Sequence, residues 1–118
     1  MKRMQGIADL FGSLDIVVDN AWIYTNLDQW ERRPESAVFY LIAEEEIDAL
    51  EDDGKTVENN AGETIPASLG KEDVETWLDV QTLQAIVQVI RKNVEAPDAA
   101  SLIRAIDHYR EHDAFMEA

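Results

Sequence analysis

Residues 37–42 of this sequence read Ala37-Val38-Phe39-Tyr40-Leu41-Ile42. Six apolar or aromatic side chains in succession, several of them β-branched or aromatic, are typical of a β-strand. Because the run does not alternate with polar residues, it indicates a strand that is covered on both faces. The sequence therefore predicts a central strand here, around which the rest of the fold is arranged.

Two further strands are predicted on either side of this run. Ala21-Trp22-Ile23-Tyr24 stands between the turn-forming residues Asp19-Asn20 and Asn26, and Val74–Leu78 contains Trp77. Short aromatic-rich runs bounded by turn residues are typical of strands. Core packing is the common role of aromatic side chains on strands, and we expect it for five of them: Trp22, Tyr24, Phe39, Tyr40 and Trp77.

Three segments have the apolar spacing of amphipathic helices. The first spans Gln5–Leu14, the second follows Asp79 and the third follows Asp98, and either aspartate can act as an N-cap. The apolar positions are Ile7, Leu10, Phe11 and Leu14; Val80, Leu83, Ile86, Val87, Ile90 and Val94; and Leu102, Ile103, Ile106 and Tyr109. The sequence predicts an α+β fold: a single domain over residues 1–118, with a small antiparallel sheet of about three strands packed by an N-terminal helix and two C-terminal helices.

The composition limits the possible functions. The chain has 118 residues, 25 acidic against 10 Lys and Arg, and a formal net charge of -15. Direct binding to nucleic acid is disfavoured because it requires a dense basic surface, and an anionic membrane is disfavoured for the same reason. The absence of cysteine excludes thiol catalysis and Cys-based metal sites and fits a cytoplasmic location. The composition therefore favours a basic protein as the partner.

The acidic residues are concentrated between positions 44 and 79. This segment has 13 acids and two lysines, and its Gly, Asn and Pro residues predict turns and irregular loop, with one or two helical turns over Glu44–Leu50. We expect a partner-binding site here, because functional residues concentrate on loops. Trp30, in a polar stretch before Pro34, is a candidate aromatic anchor. The expected site comprises Glu44, Glu45, Glu46, Asp48, Glu51, Asp52, Asp53 and Trp30.

No motif predicts catalysis, a metal or another cofactor. His108 and His112 match an H-x-x-E-H zinc pattern, but three fixed positions arise easily in a Glu-rich helix. An EF-hand loop with Gly54 as its invariant glycine would begin at Ala49 and end at Asn60, neither of which fits. The sequence predicts a protein that is not an enzyme, and a monomer or weak dimer.

Several segments, taken in order, resemble one family. They are Ala21-Trp22-Ile23-Tyr24, Trp30, the strand Ala37–Ile42 leading into acids, Ile65-Pro66, Trp77-Leu78-Asp79-Val80-Gln81-Thr82-Leu83-Gln84-Ala85-Ile86-Val87, Asn93, Ala105-Ile106-Asp107-His108-Tyr109 and His112-Asp113-Ala114-Phe115. From Ala21 to Phe115 the chain resembles small acidic bacterial proteins that serve as immunity proteins beside polymorphic and contact-dependent growth-inhibition toxins. The acidic segment is longer here than in that pattern, so no toxin-contact residue is transferred.

The resemblance implies that the chain binds a cognate toxin C-terminal domain and neutralises it by occlusion. Many such toxins are nucleases with basic clefts, and an acidic inhibitor is steered to them by charge. Two alternatives stay open: a nucleic-acid mimic that inhibits a DNA-binding protein, and a small adaptor or oligomerisation domain that binds through apolar helix faces.

Overall fold

The predicted central strand forms the middle of a four-stranded antiparallel sheet. The computed structural model describes residues 1–13, 21–93 and 98–112. The strands are β1 (Lys2–Gln5), β2 (Ala21–Thr25), β3 (Val38–Ala43) and β6 (Glu75–Asp79), in the order β1-β3-β2-β6. The predicted α+β class is confirmed, and the sheet has one strand more than expected.

The additional strand is β1, which pairs with β3 from Lys2 opposite Leu41 to Gln5 opposite Val38. The predicted first helix began at Gln5, whereas α1 spans Ile7–Ser13. Gly6 separates the two elements with a φ of +87°, and its N–H donates to the Ala37 carbonyl at 2.8 Å. A Cβ at this position would lie 2.8 Å from the Glu35 carbonyl oxygen, so the turn requires glycine. Only Met4 of β1 is buried, which is why no apolar pattern indicated this edge strand.

Strand β3 is covered on both faces, as its sequence predicted. On one face, Tyr40 and Ile42 join a core cluster with Tyr24, Ile65, Leu69 and Val74. On the other face, the fully buried Phe39 contacts two tryptophan rings, Trp30 and Trp77. Trp30 belongs to α2 (Leu27–Arg32), which a short 3-10 helix, Pro34–Ser36, connects to β3.

The acidic segment is more regular than the sequence predicted. Helix α3 (Glu44–Asp52) follows β3 directly, and β4 (Thr56–Glu58) and β5 (Thr64–Pro66) pair as a second, two-stranded sheet. A 3-10 helix, Ala67–Leu69, then leads towards β6. Ile65 and Leu69 enter the core cluster, so the prediction of an irregular loop was wrong. The two strands could not be recognised in the sequence because β4 and β5 have only three residues each.

The chain forms two compact units, Met1–Val80 and Gln81–Ala118. The first contains both sheets. The second contains most of α4 (Val80–Asn93) and all of α5 (Ala99–His112). That the two units fold as a single domain stays a prediction.

The two C-terminal helices have the predicted apolar stripes. Leu83, Ile86 and Val87 of α4 are buried, as are Leu102 and Ile106 of α5. The predicted cap of α5 is confirmed, because a side-chain oxygen of Asp98 accepts a hydrogen bond from the Ser101 N–H at 2.8 Å. Leu14 and Val94, which were predicted in helices, lie outside the described residues. No helix in the described ranges has the length and apolar character needed to cross a bilayer.

Candidate partner-binding surface

Helix α3 brings the seven predicted acidic residues together on one element. Glu44, Glu45 and Glu46 form its first turn, Asp48, Glu51 and Asp52 follow, and Asp53 is its C-cap. Ile47 holds the helix on the protein by packing against the core cluster. Of the seven acids, only Glu46 is partly buried, and the other six are exposed. We call α3 with Asp53 the acidic helix.

The acidic helix has little compensating positive charge. Glu46 forms an ion pair with the α-amino group of Met1, and no other ion pair of this helix occurs among the described residues. Glu44 and Asp48 are four residues apart, as are Asp48 and Asp52, and like charges at this spacing destabilise a helix. Each unfavourable pair costs about 0.2–0.5 kcal/mol.

The helix dipole interacts favourably with the acids at only one end of α3. Carboxylates in the first turn face the positive end of the dipole and stabilise α3. Glu51, Asp52 and Asp53 are at the negative end, where the last turn has no basic residue. Each carboxylate at that end is unfavourable by roughly 0.3–1 kcal/mol. Helix stability therefore accounts for the presence of acids at positions 44–46, but not for the presence of Glu51, Asp52 and Asp53 at the C-terminal end.

Trp30 is not part of this surface. Its side chain is 2% exposed, and its ring lies edge-to-face against Trp77 at 4.9 Å and Phe39 at 6.1 Å. The surrounding residues, predicted as a polar loop, form α2, which begins where the Asn26 side chain accepts from the Gln29 N–H at 3.0 Å. The prediction of Trp30 as an exposed partner anchor was therefore wrong.

The aromatic residue that is exposed is Trp22, for which the sequence predicted core packing. Its exposed fraction is 42%, and it is the one exposed residue of β2. Nothing in the run Ala21-Trp22-Ile23-Tyr24 separates this position from its buried neighbours, because all four residues are apolar or aromatic. Sequence reasoning missed Trp22 for this reason.

Five of the acids outside α3 occur in two settings. Glu58, Asp73 and Glu75 line an open cleft of about 270 Å³ together with Asp28 and several asparagines. Glu63, in contrast, is half-buried and serves the structure. Its carboxylate accepts from the Thr76 N–H at 3.0 Å and from the Asn59 amide at 2.8 Å, which ties the β4–β5 hairpin to β6.

These hydrogen bonds determine the ionisation of Glu63. Burial by itself would raise the pKa of the Glu63 carboxyl, but the hydrogen bonds from Thr76 and Asn59 outweigh it and hold that pKa below its usual range. Burial, together with the nearby Glu63 charge, raises the pKa of the Tyr24 hydroxyl. At neutral pH the network therefore contains an ionised Glu63 beside a neutral Tyr24.

His108 and His112 lie on the same face of α5, with ring centroids 4.6 Å apart. Within residues 1–13, 21–93 and 98–112, no group of three His, Cys, Asp or Glu side chains is arranged to hold a metal ion. The Nε2 atom of His112 lies 3.9 Å from a carboxylate oxygen of Glu111. The two histidines therefore have no third ligand among these residues.

Comparison with known proteins gives one match. No curated protein and no solved structure matches the chain. One family model, described as a domain of unknown function (DUF7716), matches residues 13–118, which is most of the chain and includes the acidic helix and Trp22. The chain therefore belongs to the DUF7716 family.

Proposed function

We propose that this protein is an immunity protein that binds a basic, nuclease-type toxin domain in the bacterial cytoplasm and neutralises it by occlusion. The observation that carries the proposal is the acidic helix, which exposes six carboxylates on an element that packs against the core through Ile47. The resemblance of residues 21–115 to immunity proteins supports the same function. In this proposal the protein catalyses no reaction and needs no cofactor.

The mechanism is electrostatic capture followed by steric blocking. A nuclease cleft is basic because it binds phosphates, so its field attracts a protein with a net charge of -15. The acidic helix provides carboxylates where the phosphates of the substrate would bind. Because Ile47 holds α3 on the core, little ordering of the helix is needed on binding, and affinity is not lost to entropy.

The test is the rate of association between this protein and the toxin domain encoded by the adjacent gene. Exposed charges are screened over about 8 Å at physiological salt, so the rate should fall steeply as salt rises. A variant with Glu44, Glu45, Glu46, Asp52 and Asp53 all changed to lysine should lose most of its association rate and most of its protection of toxin-expressing cells.

A matched control variant shows whether a loss of binding comes from the position of the changed acids in α3 or only from the change in net charge. Changing Glu31, Glu35, Glu58, Glu72 and Glu111 to lysine likewise replaces five acids, all of them exposed, and takes the formal net charge from -15 to -5. We expect this control to keep most of its protection. Equal losses in both variants would show that net charge alone matters. A rate that is independent of salt, with protection intact in the α3 variant, would favour the adaptor function instead.

A further inference from the structure

Trp22 is exposed at a place where a tryptophan is usually covered. It lies on β2, an inner strand with β3 on one side and β6 on the other. The other four residues of β2 are buried, whereas 42% of Trp22 is exposed. A large aromatic ring that stays in water on an inner strand forgoes roughly half of the stabilisation that its burial would give. This position therefore calls for a partner.

The strand register places Trp22 on the same face of the sheet as the acidic helix. Trp22 is directly opposite Ile42 of β3, so their side chains share a face. Ile42 belongs to the core cluster against which Ile47 of α3 packs. The β4–β5 hairpin and the 3-10 helix after it contribute Ile65 and Leu69 to this cluster, but they leave Trp22 exposed.

Trp22 also lies at the end of the sheet where α3 begins. The neighbouring pair along the strands is Ala21 and Ala43, and Glu44 follows as the first residue of α3. On the other side, Trp22 is opposite Asp79 of β6. An exposed aromatic ring is thus located between a half-buried carboxylate and the glutamate-rich first turn of a helix.

We infer that Trp22 is the aromatic anchor of the partner-binding surface, and that its ring stacks against an arginine side chain of the basic partner. This inference rests on the proposed function and adds to it the residue and the chemistry of the contact. A guanidinium group binds the face of an indole by a cation–π interaction. Its N–H groups can at the same time pair with carboxylates that lie in the plane of the guanidinium. Trp22 would provide the aromatic face, and the glutamate-rich first turn of α3 would provide the carboxylates.

Charge argues against a second copy of this chain as the occupant. Two molecules that each have a net charge of -15 repel one another, and the acidic helix at the same end of the sheet adds to this repulsion. An arginine-bearing partner gains from the same charges. The ring of Trp22 therefore fits a cationic partner better than another copy.

The test compares the binding of fluorescently labelled hexaarginine and hexalysine to the full chain at low salt. Trp22→Leu keeps an apolar side chain but removes the aromatic face. We expect it to weaken hexaarginine binding about twofold to fivefold, the range for exposed cation–π contacts, and to change hexalysine binding less. Val57→Ala is the matched control, because Val57 is an exposed apolar residue on β4 and is 39% exposed. It should leave both affinities unchanged.

The variant with five lysines in α3 makes the outcomes distinguishable. If Trp22→Leu, confirmed as folded by circular dichroism, binds both peptides like the wild type, the inference is overturned. If the α3 variant loses affinity for both peptides while Trp22→Leu does not, only the role of Trp22 is refuted, and the proposed function of the acidic helix still stands. If a concentration-dependent dimer forms and Trp22→Leu abolishes it, a second copy is the occupant and the inference is again overturned.

Discussion

At the residue scale, Trp30 and Trp22 should differ in their contribution to stability. Trp30 is 2% exposed and contacts two other aromatic rings, so Trp30→Ala leaves a large cavity. We expect the free energy of unfolding to fall by about 3–5 kcal/mol. Trp22→Ala, at a position that is 42% exposed, should cost roughly half as much.

Urea unfolding followed by far-UV circular dichroism measures both values. Because total stability is only about 5–15 kcal/mol, Trp30→Ala could prevent folding, in which case Trp30→Leu gives a smaller loss of the same sign. Equal losses at Trp22 and Trp30 would contradict the burial described above. They would also remove the reason for treating Trp22 as the residue available to a partner.

At the scale of elements, the link between the β4–β5 hairpin and β6 should depend on pH. The pKa of Glu63 is lower in the folded protein than its unfolded value of about 4.3. The unfolded chain therefore binds the Glu63 proton more readily. Stability from this link is complete above the unfolded pKa and is lost as pH falls through the folded pKa.

Thermal melts between pH 7 and pH 3 check this dependence. We expect Glu63→Gln to have a lower melting temperature at pH 7 and a shallower decline on acidification, since its side chain does not titrate. Glu58→Gln is the control, because Glu58 is an exposed acid of the same hairpin. If Glu63→Gln and Glu58→Gln decline in parallel with the wild type, the Glu63 carboxylate does not carry the effect.

At the scale of the whole molecule, the two compact units should unfold together. The unit Gln81–Ala118 has 38 residues, and chains below about 40 residues rarely fold without a metal, a disulfide or a partner. We expect it to be stable only in the intact chain. All three tryptophans lie in the unit Met1–Val80, so their fluorescence reports on that unit, while helical circular dichroism also reports α4 and α5.

Coincident fluorescence and circular dichroism transitions would confirm a single cooperative domain. Ile106→Ala, in the buried stripe of α5, should lower both midpoints by the same amount. Arg110→Ala changes an exposed side chain of the same helix, so it is a mild control. Two separate transitions, with Ile106→Ala moving only the circular dichroism signal, would mean that the units fold independently.

The surface that we propose for binding was only partly predictable from sequence. The seven acids were predicted because charge depends only on residue type, and α3 collects them on one element. Which tryptophan is exposed could not be predicted. Trp30 stands among polar residues and is nevertheless buried, because α2 turns its ring onto Phe39 and Trp77. Trp22 stands among apolar residues and is nevertheless exposed.

The sequence by itself determined the α+β class, the strands around residues 21–25, 38–43 and 75–79, the stripes of α4 and α5, and the acidic character of α3. These follow from local periodicity, residue type and charge. Only the tertiary structure decided that Lys2–Gln5 forms an edge strand, that the acidic segment contains a hairpin, and which tryptophan is exposed. Each of these features depends on which distant segment of the chain packs against a given strand or helix. The local sequence does not indicate that segment.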